Sequence, residues 1–175
     1  FMILIGYYQR RNNVLGEVVT VEHYHDLGKL TFGFIIFWGY MAFSQYFLIW
    51  YANIPEENYW FLYRWENTWK YVSLVIIFGH FVIPFIGVLT RAAKRNLKFL
   101  SLMAGWFLVM RWVDLYWLVM PTHHQDGIHF SWVDITTFIG VGGLFVWYFW
   151  KRYTANAVVP VNDPGLAAST RFTNT

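Results

Sequence analysis

The stretch from residue 70 to residue 89 reads KYVSLVIIFGHFVIPFIGVL, and its interior contains a single ionisable side chain, that of His80. A run of about 20 mostly apolar residues is long enough to cross the hydrocarbon core of a bilayer as a helix. Three further stretches meet the same requirement, at about residues 30–51, 99–120 and 132–150. The sequence therefore predicts an all-α protein, a polytopic bundle of transmembrane helices.

The composition of the whole chain also indicates a membrane protein. Of its 175 residues, 57% are hydrophobic, 23% are aromatic and 13% are charged, against about 25% charged in an ordinary soluble domain. A chain of this length cannot hide so much apolar surface in one core, and a disordered chain would be poor in aromatics. Because there is no Cys, disulfides, thiolate metal sites and covalent haem attachment are excluded on this chain.

The basic residues predict the orientation of the chain in the membrane. Of the 13 Lys and Arg residues, two lie on one side of the predicted spans, Arg111 lies inside a span and the other ten share the opposite side. These ten are Arg10, Arg11, Lys29, Arg91, Lys94, Arg95, Lys98, Lys151, Arg152 and Arg171. The positive-inside rule makes their side cytoplasmic. We read the net charge of +3 in this way, and not as a sign of nucleic-acid binding.

The chain is expected to divide into a membrane region, 1–153, and a cytoplasmic C-terminal tail, 154–175. Residues 1–8 are apolar but too few to span a bilayer, so we interpret them as the end of a fifth helix whose beginning is absent. The sequence would then be the C-terminal part of a longer protein. Pro160 and Pro164 predict that the tail is not helical throughout.

Local signals mark the expected helix ends. Asp26 precedes the first span as a candidate N-cap, and Thr68 precedes the second. Ser131 and Asp134 have the spacing of a capping box at the start of the fourth span. Pro84 lies inside the second span and predicts a kink there.

Three ionisable side chains lie inside the predicted spans, where charge is costly and usually functional. Counted from the outer helix ends at about 1.5 Å per residue, His80 lies about 15 Å deep, Arg111 about 13 Å and Asp114 about 9 Å. Gln45 on the first span lies about 9 Å deep, so these four residues could form one cluster. Arg111 and Asp114 are spaced i, i+3 and can pair directly. The cluster is either a self-neutralised pair that holds helices together, or a proton-carrying or quinol-binding site with His80 as its titrating group.

Further polar residues flank the spans at both faces. The outer loop after the third span contains His123, His124, Asp126 and His129, which are metal-ligand types, but their spacing matches no standard metal site. A proton outlet or a loop that faces a partner subunit fits them equally well. On the cytoplasmic side, His25 and Asp26 either begin the first helix or form the region of proton uptake.

Aromatic side chains are concentrated at the outer helix ends. They are Trp50, Tyr51, Tyr59, Trp60, Tyr63, Trp65, Trp69, Trp112, Tyr116, Trp117 and Trp132. The simplest interpretation is an interfacial belt. The alternatives are a lining for a planar apolar ligand such as a quinone, and a docking surface for another subunit.

Several longer motifs resemble one known family. The run HDLGK at 25–29 is followed by FSQYFLIWYANIPEE at 43–57, HFVIPF at 80–85, WVDLYWLVMP at 112–121, GVGGLF at 140–145 and PVNDP at 160–164. These motifs resemble the ActF membrane subunits of bacterial alternative complex III, a quinol:cytochrome c oxidoreductase. This family is similar to the NrfD and polysulfide-reductase membrane subunits. The resemblance covers nearly the whole chain from Glu22 onward.

The resemblance has several implications for the role of this chain. The protein would lie in the bacterial inner membrane, and the visible helices would be the C-terminal half of a larger NrfD-like bundle. Such a subunit carries no catalytic residue, redox cofactor or metal of its own. Haem c and iron–sulfur clusters belong to partner subunits, a sister membrane subunit holds the main quinol site, and a terminal oxidase can be a further partner. Quinol at this subunit or at its interface remains open, and lipids surround it.

The sequence leaves three readings of the function. The first is a membrane subunit of a respiratory quinol:electron-acceptor oxidoreductase that supports assembly and has proton translocation as a candidate role. The second is a purely structural scaffold for the peripheral redox subunits. The third is a secondary transporter, which would need a midplane cavity and broken helices. Whether the chain takes part in the enzymatic step itself stays open.

Overall fold

Helices form all the regular secondary structure in the part of the chain that the structure describes. The computed structural model describes residues 1–14, 18–155, 157, 159 and 162–171. The helices are α1 (Met2–Arg11), α2 (Val21–Ala52), α3 (Pro55–Trp65), α4 (Trp69–Ile76), α5 (Ile83–Leu89), α6 (Arg91–Arg95), α7 (Leu97–Val119), α8 (Trp132–Thr154) and α9 (Leu166–Thr170), with a π-helical segment at Ile77–Val82 and a 3₁₀ turn at Met120–Thr122. Pro160, one of the two tail prolines and the first residue of the PVNDP motif, lies outside the described residues.

Among the described residues, four helical stretches are long and apolar enough to cross a membrane. They are Val21–Ala52, Trp69–Leu89, Leu97–Thr122 and Trp132–Thr154. The all-α class and the four predicted spans are therefore confirmed. The apolar start of the chain is helical as well, in α1.

The first span begins earlier than the sequence predicts. Thr20 and His23 form a capping box, in which the Thr20 backbone N–H donates to His23 Nδ1 at 3.2 Å, so α2 starts at Val21. Asp26 lies in the second turn of α2, where it accepts from Lys29 Nζ at 3.1 Å. The prediction that Asp26 is the N-cap is therefore wrong.

The other predicted helix boundaries have clear local causes. Asn53 adopts a left-handed conformation with a φ of 50° and ends α2, and Pro55 then begins α3. Thr68 is the N-cap of α4, but its Oγ1 accepts from the Ile128 backbone N–H instead of from its own helix. At the start of α8 the predicted capping box is confirmed, since the Ser131 N–H donates to Asp134 Oδ2 at 2.9 Å.

Pro84 distorts the second span through a π-helical segment. Pro84 has no N–H, so it cannot donate to the carbonyl four residues earlier, that of His80. The hydrogen bonds before it change register, and the Ile83 N–H donates to the carbonyl of Phe78, five residues earlier. In this register a backbone N–H at residue 84 would donate to the Gly79 carbonyl, but proline has no N–H. The indole Nε1 of Trp106 donates to that carbonyl oxygen instead, at 2.7 Å. A neighbouring helix thus replaces the bond that Pro84 removes.

The chain divides into two compact units. The first unit, Phe1–Val14 with Thr20–Ile128, holds α1 to α7. In it the Tyr24 hydroxyl on α2 donates to the Gly6 carbonyl on α1 at 3.0 Å, and Gly39 on α2 lies against the ring of Phe81. The second unit holds α8 and α9.

Candidate functional site

The second span presents His80 to the interior of the first unit. His80 belongs to the π-helical segment and is 7% exposed. Its ring lies 4.3 Å from the ring of Trp38 on α2 and 6.0 Å from that of Phe107 on α7, centroid to centroid. π-helical segments within α-helices often occur at functional sites. His80 is therefore held between two aromatic rings inside a predicted span.

Asp114 on α7 is the acidic member of the same cluster. It is 8% exposed, and its Oδ2 accepts from Arg111 Nη1 at 2.7 Å. The same oxygen lies 4.0 Å from His80 Nδ1, which is too long for a hydrogen bond. The structure thus brings together three of the four residues predicted to share the membrane interior, with the carboxylate between the arginine and the histidine.

The three side chains differ in their access to the surroundings. The Arg111 side chain is 56% exposed, whereas those of Asp114 and His80 are buried. His80 Nδ1 is buried without a hydrogen-bond partner. Proton transfer needs heavy atoms about 2.6–3.2 Å apart. An approach of about 1 Å between His80 and Asp114 would therefore allow a proton to pass between them.

Gln45 is not brought to this cluster. The α2 residue in contact with His80 is Trp38, and Gln45 lies seven positions further along α2, about 10 Å at the rise of an α-helix. Its side chain is exposed. Its role in a shared polar site remains a prediction without structural support.

The cytoplasmic candidates His25 and Asp26 lie near the start of α2. His25 is 6% exposed and Asp26 is exposed. His25 precedes Trp38 by 13 positions, about 20 Å along α2, so it does not belong to the cluster around His80. Nearby, Glu22 pairs with Arg95 at 2.6 Å and joins α2 to α6.

The outer candidates His123, His124 and Asp126 are exposed and lie just after the 3₁₀ turn. The backbone carbonyl of His124 accepts from Trp69 Nε1 at 2.8 Å, which attaches this loop to the start of α4. Among the described residues there is no group of three or more His, Asp or Glu that could hold a metal ion. The metal-site alternative therefore gains no support from the geometry of this loop.

Sequence reasoning missed Arg64, which it counted only as one of two basic residues on the outer side. Arg64 is 1% exposed, its Nη1 donates to the Trp60 carbonyl and its Nη2 to the Leu118 carbonyl, both at 2.6 Å. The guanidinium stacks on the Trp60 ring at 3.5 Å and faces that of Trp117 at 5.2 Å. Burial lowers the pKa of the Arg64 guanidinium to about 10, so it stays charged at neutral pH. An arginine four residues after a tryptophan on one helix was the available signal.

Arg64 donates a hydrogen bond to the last turn of α7 and links this helix end to α3 and α4. Leu118 is in the last turn of α7, where carbonyls lack helical partners and a cation is favoured. Ser73 on α4 donates to the Arg64 carbonyl at 2.7 Å and accepts from Trp117 Nε1 at 2.8 Å. We call Arg64, Trp60, Ser73 and Trp117 the outer arginine network.

The outer aromatic residues differ in how deeply they are buried. Trp69 is fully buried and donates to the outer loop, so the interfacial-belt interpretation is wrong for this residue. Trp60 and Trp117 enclose Arg64. Trp50 and Tyr51 at the end of α2 are exposed, so the interfacial-belt interpretation still applies to them.

The chain was also compared with known proteins. Neither a scan against models of protein families nor a search of curated proteins gives a match.

Proposed function

We propose that this chain is an integral membrane subunit of a respiratory quinol:electron-acceptor oxidoreductase of the alternative complex III type, and that it takes part in proton translocation. The motifs HFVIPF and WVDLYWLVMP, which carry much of the family resemblance, contain His80 and Asp114. Four candidate spans support a multi-pass subunit. The observation that carries the proposal is the buried contact of His80 with the Asp114–Arg111 pair.

The cluster has the parts that a proton-handling site needs. The guanidinium of Arg111 donates to the buried carboxylate oxygen Asp114 Oδ2, and the buried imidazole of His80 lies 4.0 Å from the same oxygen. An imidazole is the side chain whose unperturbed pKa lies nearest neutral pH, so His80 is the proton carrier in this proposal. Protonation of Asp114 would release Arg111, whose side chain reaches the outside of the unit. A change at Asp114 can thus be transmitted to a neighbouring subunit.

The composition of the chain supports the proposal that other subunits of the complex carry the redox centres. With no Cys, the chain leaves iron–sulfur clusters and haem c to partner subunits. The sister membrane subunit then holds the main quinol site, and this chain handles protons released by quinol oxidation. The C-terminal tail lies on the cytoplasmic side of a bacterial inner membrane, in keeping with the basic residues around it.

The proposal is tested with Asp114→Asn in the assembled complex, reconstituted in vesicles. Asparagine has nearly the same shape but cannot carry the proton, so we expect normal subunit assembly and a lower ratio of protons moved per electron. Glu57→Gln is the matched control, because Glu57 is an exposed carboxylate on α3. An unchanged proton-to-electron ratio in the Asp114 variant would exclude the role in translocation.

A purely structural scaffold is the second candidate, and the outer arginine network favours it. This network fixes α3, α4 and the end of α7 into one outer surface on which peripheral subunits could dock. Under this alternative, Asp114→Asn leaves proton movement unchanged, whereas Arg64→Met weakens retention of the peripheral subunits. The transporter alternative needs paired broken helices, and the described residues contain one π-helical interruption, in the second span.

A further inference from the structure

The third span carries a charged side chain near the middle of its apolar length. The span covers Leu97–Thr122, and Arg111 lies 14 residues after its start and 11 residues before its end. These separations correspond to about 21 Å and 17 Å at the rise of an α-helix. The Arg111 side chain is 56% exposed. Because a guanidinium among acyl chains is costly, charged side chains at such depths face protein or a water-filled cavity.

The bond to Asp114 holds the guanidinium at this depth. Arg111 Nη1 donates to Asp114 Oδ2 at 2.7 Å, and Asp114 is buried five residues before the last residue of α7, Val119. A basic side chain near a helix end can extend to the membrane surface. If Arg111 did so, the buried carboxylate would lose its partner, which strongly destabilises a protein. The guanidinium therefore stays inside the membrane.

This ion pair uses only part of the guanidinium. An arginine has five N–H donors in a planar fork. In the part of the chain that the structure describes, Asp114 is the one hydrogen-bond acceptor of Arg111, and it binds Nη1. Nε and Nη2 therefore have no acceptor among these residues. An unsatisfied donor is costly in an apolar environment, so the exposed side of Arg111 calls for a further acceptor.

The surface around Arg111 indicates what supplies this acceptor. Leu108, Leu115 and Leu118 lie on the same stripe of α7, and all three are exposed. Between Arg111 and the outer end of α7 the stripe offers only leucine side chains, so it does not line a polar channel for water. An apolar stripe with one polar donor suits a second helix, since membrane helices associate through close packing and hydrogen bonds between their side chains.

The charge balance indicates the chemistry of the acceptor. Arg111 and Asp114 neutralise each other. A further carboxylate would leave an excess negative charge in the membrane interior, which is costly. The backbone carbonyls of a membrane helix are already bonded within that helix. The side-chain oxygen of Ser, Thr, Asn or Gln remains, because it satisfies the free donors without adding charge.

We propose that Arg111 donates a hydrogen bond from Nε or Nη2 to a hydroxyl or amide oxygen on a membrane-spanning helix of a partner subunit, which packs on Leu108, Leu115 and Leu118. The inference uses the depth, exposure and free donors of Arg111. It does not require that the cluster around His80 carries protons, so an unchanged proton-to-electron ratio in Asp114→Asn would leave it standing.

The test introduces photoreactive benzoylphenylalanine in place of Leu115, one turn from Arg111, in the full chain in its native membranes. After irradiation, mass spectrometry identifies the attached molecule. We expect an apolar peptide of another subunit, with Ser, Thr, Asn or Gln within about one helical turn of the attached residue. A peptide whose polar residue there is Asp or Glu overturns the proposal. So does attachment to lipid alone, attachment within the same chain, or no attachment.

Val109 is the control position for the attachment. It is exposed at nearly the same depth but points about 160° away from Arg111 around α7. A single helix that packs on Leu115 and Arg111 cannot also cover Val109, so benzoylphenylalanine at position 109 should not attach the same peptide. Equal yields of the same peptide from both positions would show unspecific labelling and overturn the proposal.

The guanidinium itself is tested by repeating the attachment from position 115 in two variants. Arg111→Leu removes the donors, so the crosslinked fraction should fall about threefold, the average effect of one hydrogen bond between membrane helices. The double variant Arg111→Leu with Asp114→Leu leaves no buried charge unpaired, which guards against a folding defect. It should show the same fall. A crosslinked fraction that stays at the wild-type level in the double variant would refute the hydrogen bond.

Discussion

The hydrogen bond from Trp106 to Gly79 should stabilise the fold only because Pro84 follows in the same span. Trp106 Nε1 donates to the Gly79 carbonyl, which lies in the π-helical segment and cannot receive a bond from residue 84. Trp106→Phe keeps an aromatic ring but removes the donor. Gly79 is buried, so its carbonyl is then left without this partner in an apolar environment.

The size of this effect follows from the type of bond that is lost. An unsatisfied buried polar group costs about 1–3 kcal/mol in proteins, and hydrogen bonds between transmembrane helices average about 0.6 kcal/mol with a maximum near 1.7. We expect Trp106→Phe to lower the free energy of unfolding by about 1–1.5 kcal/mol. Pro84→Ala restores an N–H that can serve the carbonyl of Gly79 or of His80. In that background, Trp106→Phe should cost under about 0.5 kcal/mol.

The measurement is reversible unfolding in mixed micelles with increasing dodecyl sulfate, followed by far-ultraviolet circular dichroism. The four proteins of the cycle are the wild type, each single variant and the double variant, which give a coupling free energy of about 1 kcal/mol. Trp147→Phe is the control, since Trp147 is an exposed residue of α8. Strictly additive effects of the two changes would refute the account of the π-helical segment.

Substitutions of Arg64 and of two glycines test the packing of the first unit in the same assay. Arg64→Met removes two charge-assisted hydrogen bonds and should lower the free energy of unfolding by about 3 kcal/mol. Arg64→Lys should recover less than half of that loss, because one ammonium does not reproduce the guanidinium fork. Equal stability of Arg64→Met and the wild type would contradict the outer arginine network. Gly39→Ala would place a Cβ 2.4 Å from Cε2 of Phe81 and should cost about 1–3 kcal/mol. At Gly33 an added Cβ would meet no atom within 4 Å beyond the chain neighbours and the adjoining backbone of α2, so Gly33→Ala should change stability by no more than about 0.5 kcal/mol. Similar costs at both glycines would contradict the close approach of α2 and the second span.

Hydropathy was sufficient to predict the spans, because a helix that crosses a bilayer needs mainly a certain length and an apolar composition. The pairing of Arg111 with Asp114 was equally predictable, since i, i+3 neighbours on a helix meet wherever the helix lies. The start of α2 was not, because a histidine takes the place that Glu or Gln usually fills in a capping box. Arg64 was missed because its burial depends on Leu118, 54 positions away in the chain.

Depths counted from the helix ends grouped His80, Arg111 and Asp114 correctly, but they also placed Gln45 in the same cluster. The method assumes that all outer helix ends lie in one plane. His80 contacts Trp38, which is 14 residues before the end of α2 at Ala52, about 21 Å at the rise of an α-helix. His80 itself is 11 residues after the start of α4 at Trp69, about 17 Å. The outer ends are therefore offset, and Gln45 lies beyond the cluster instead of beside it.

The same proline connects the stability of the second span with the chemistry of the cluster. His80 comes directly after Gly79, whose carbonyl is bound to Trp106 on α7, and Asp114 lies two turns further along α7. The bond at Gly79 therefore fixes the backbone next to His80 relative to the helix that carries Asp114. The 4.0 Å separation of His80 Nδ1 and Asp114 Oδ2 depends on that attachment. Since proton transfer between them needs an approach of only about 1 Å, Trp106→Phe should change proton movement as well as stability, although Trp106 does not itself carry a proton.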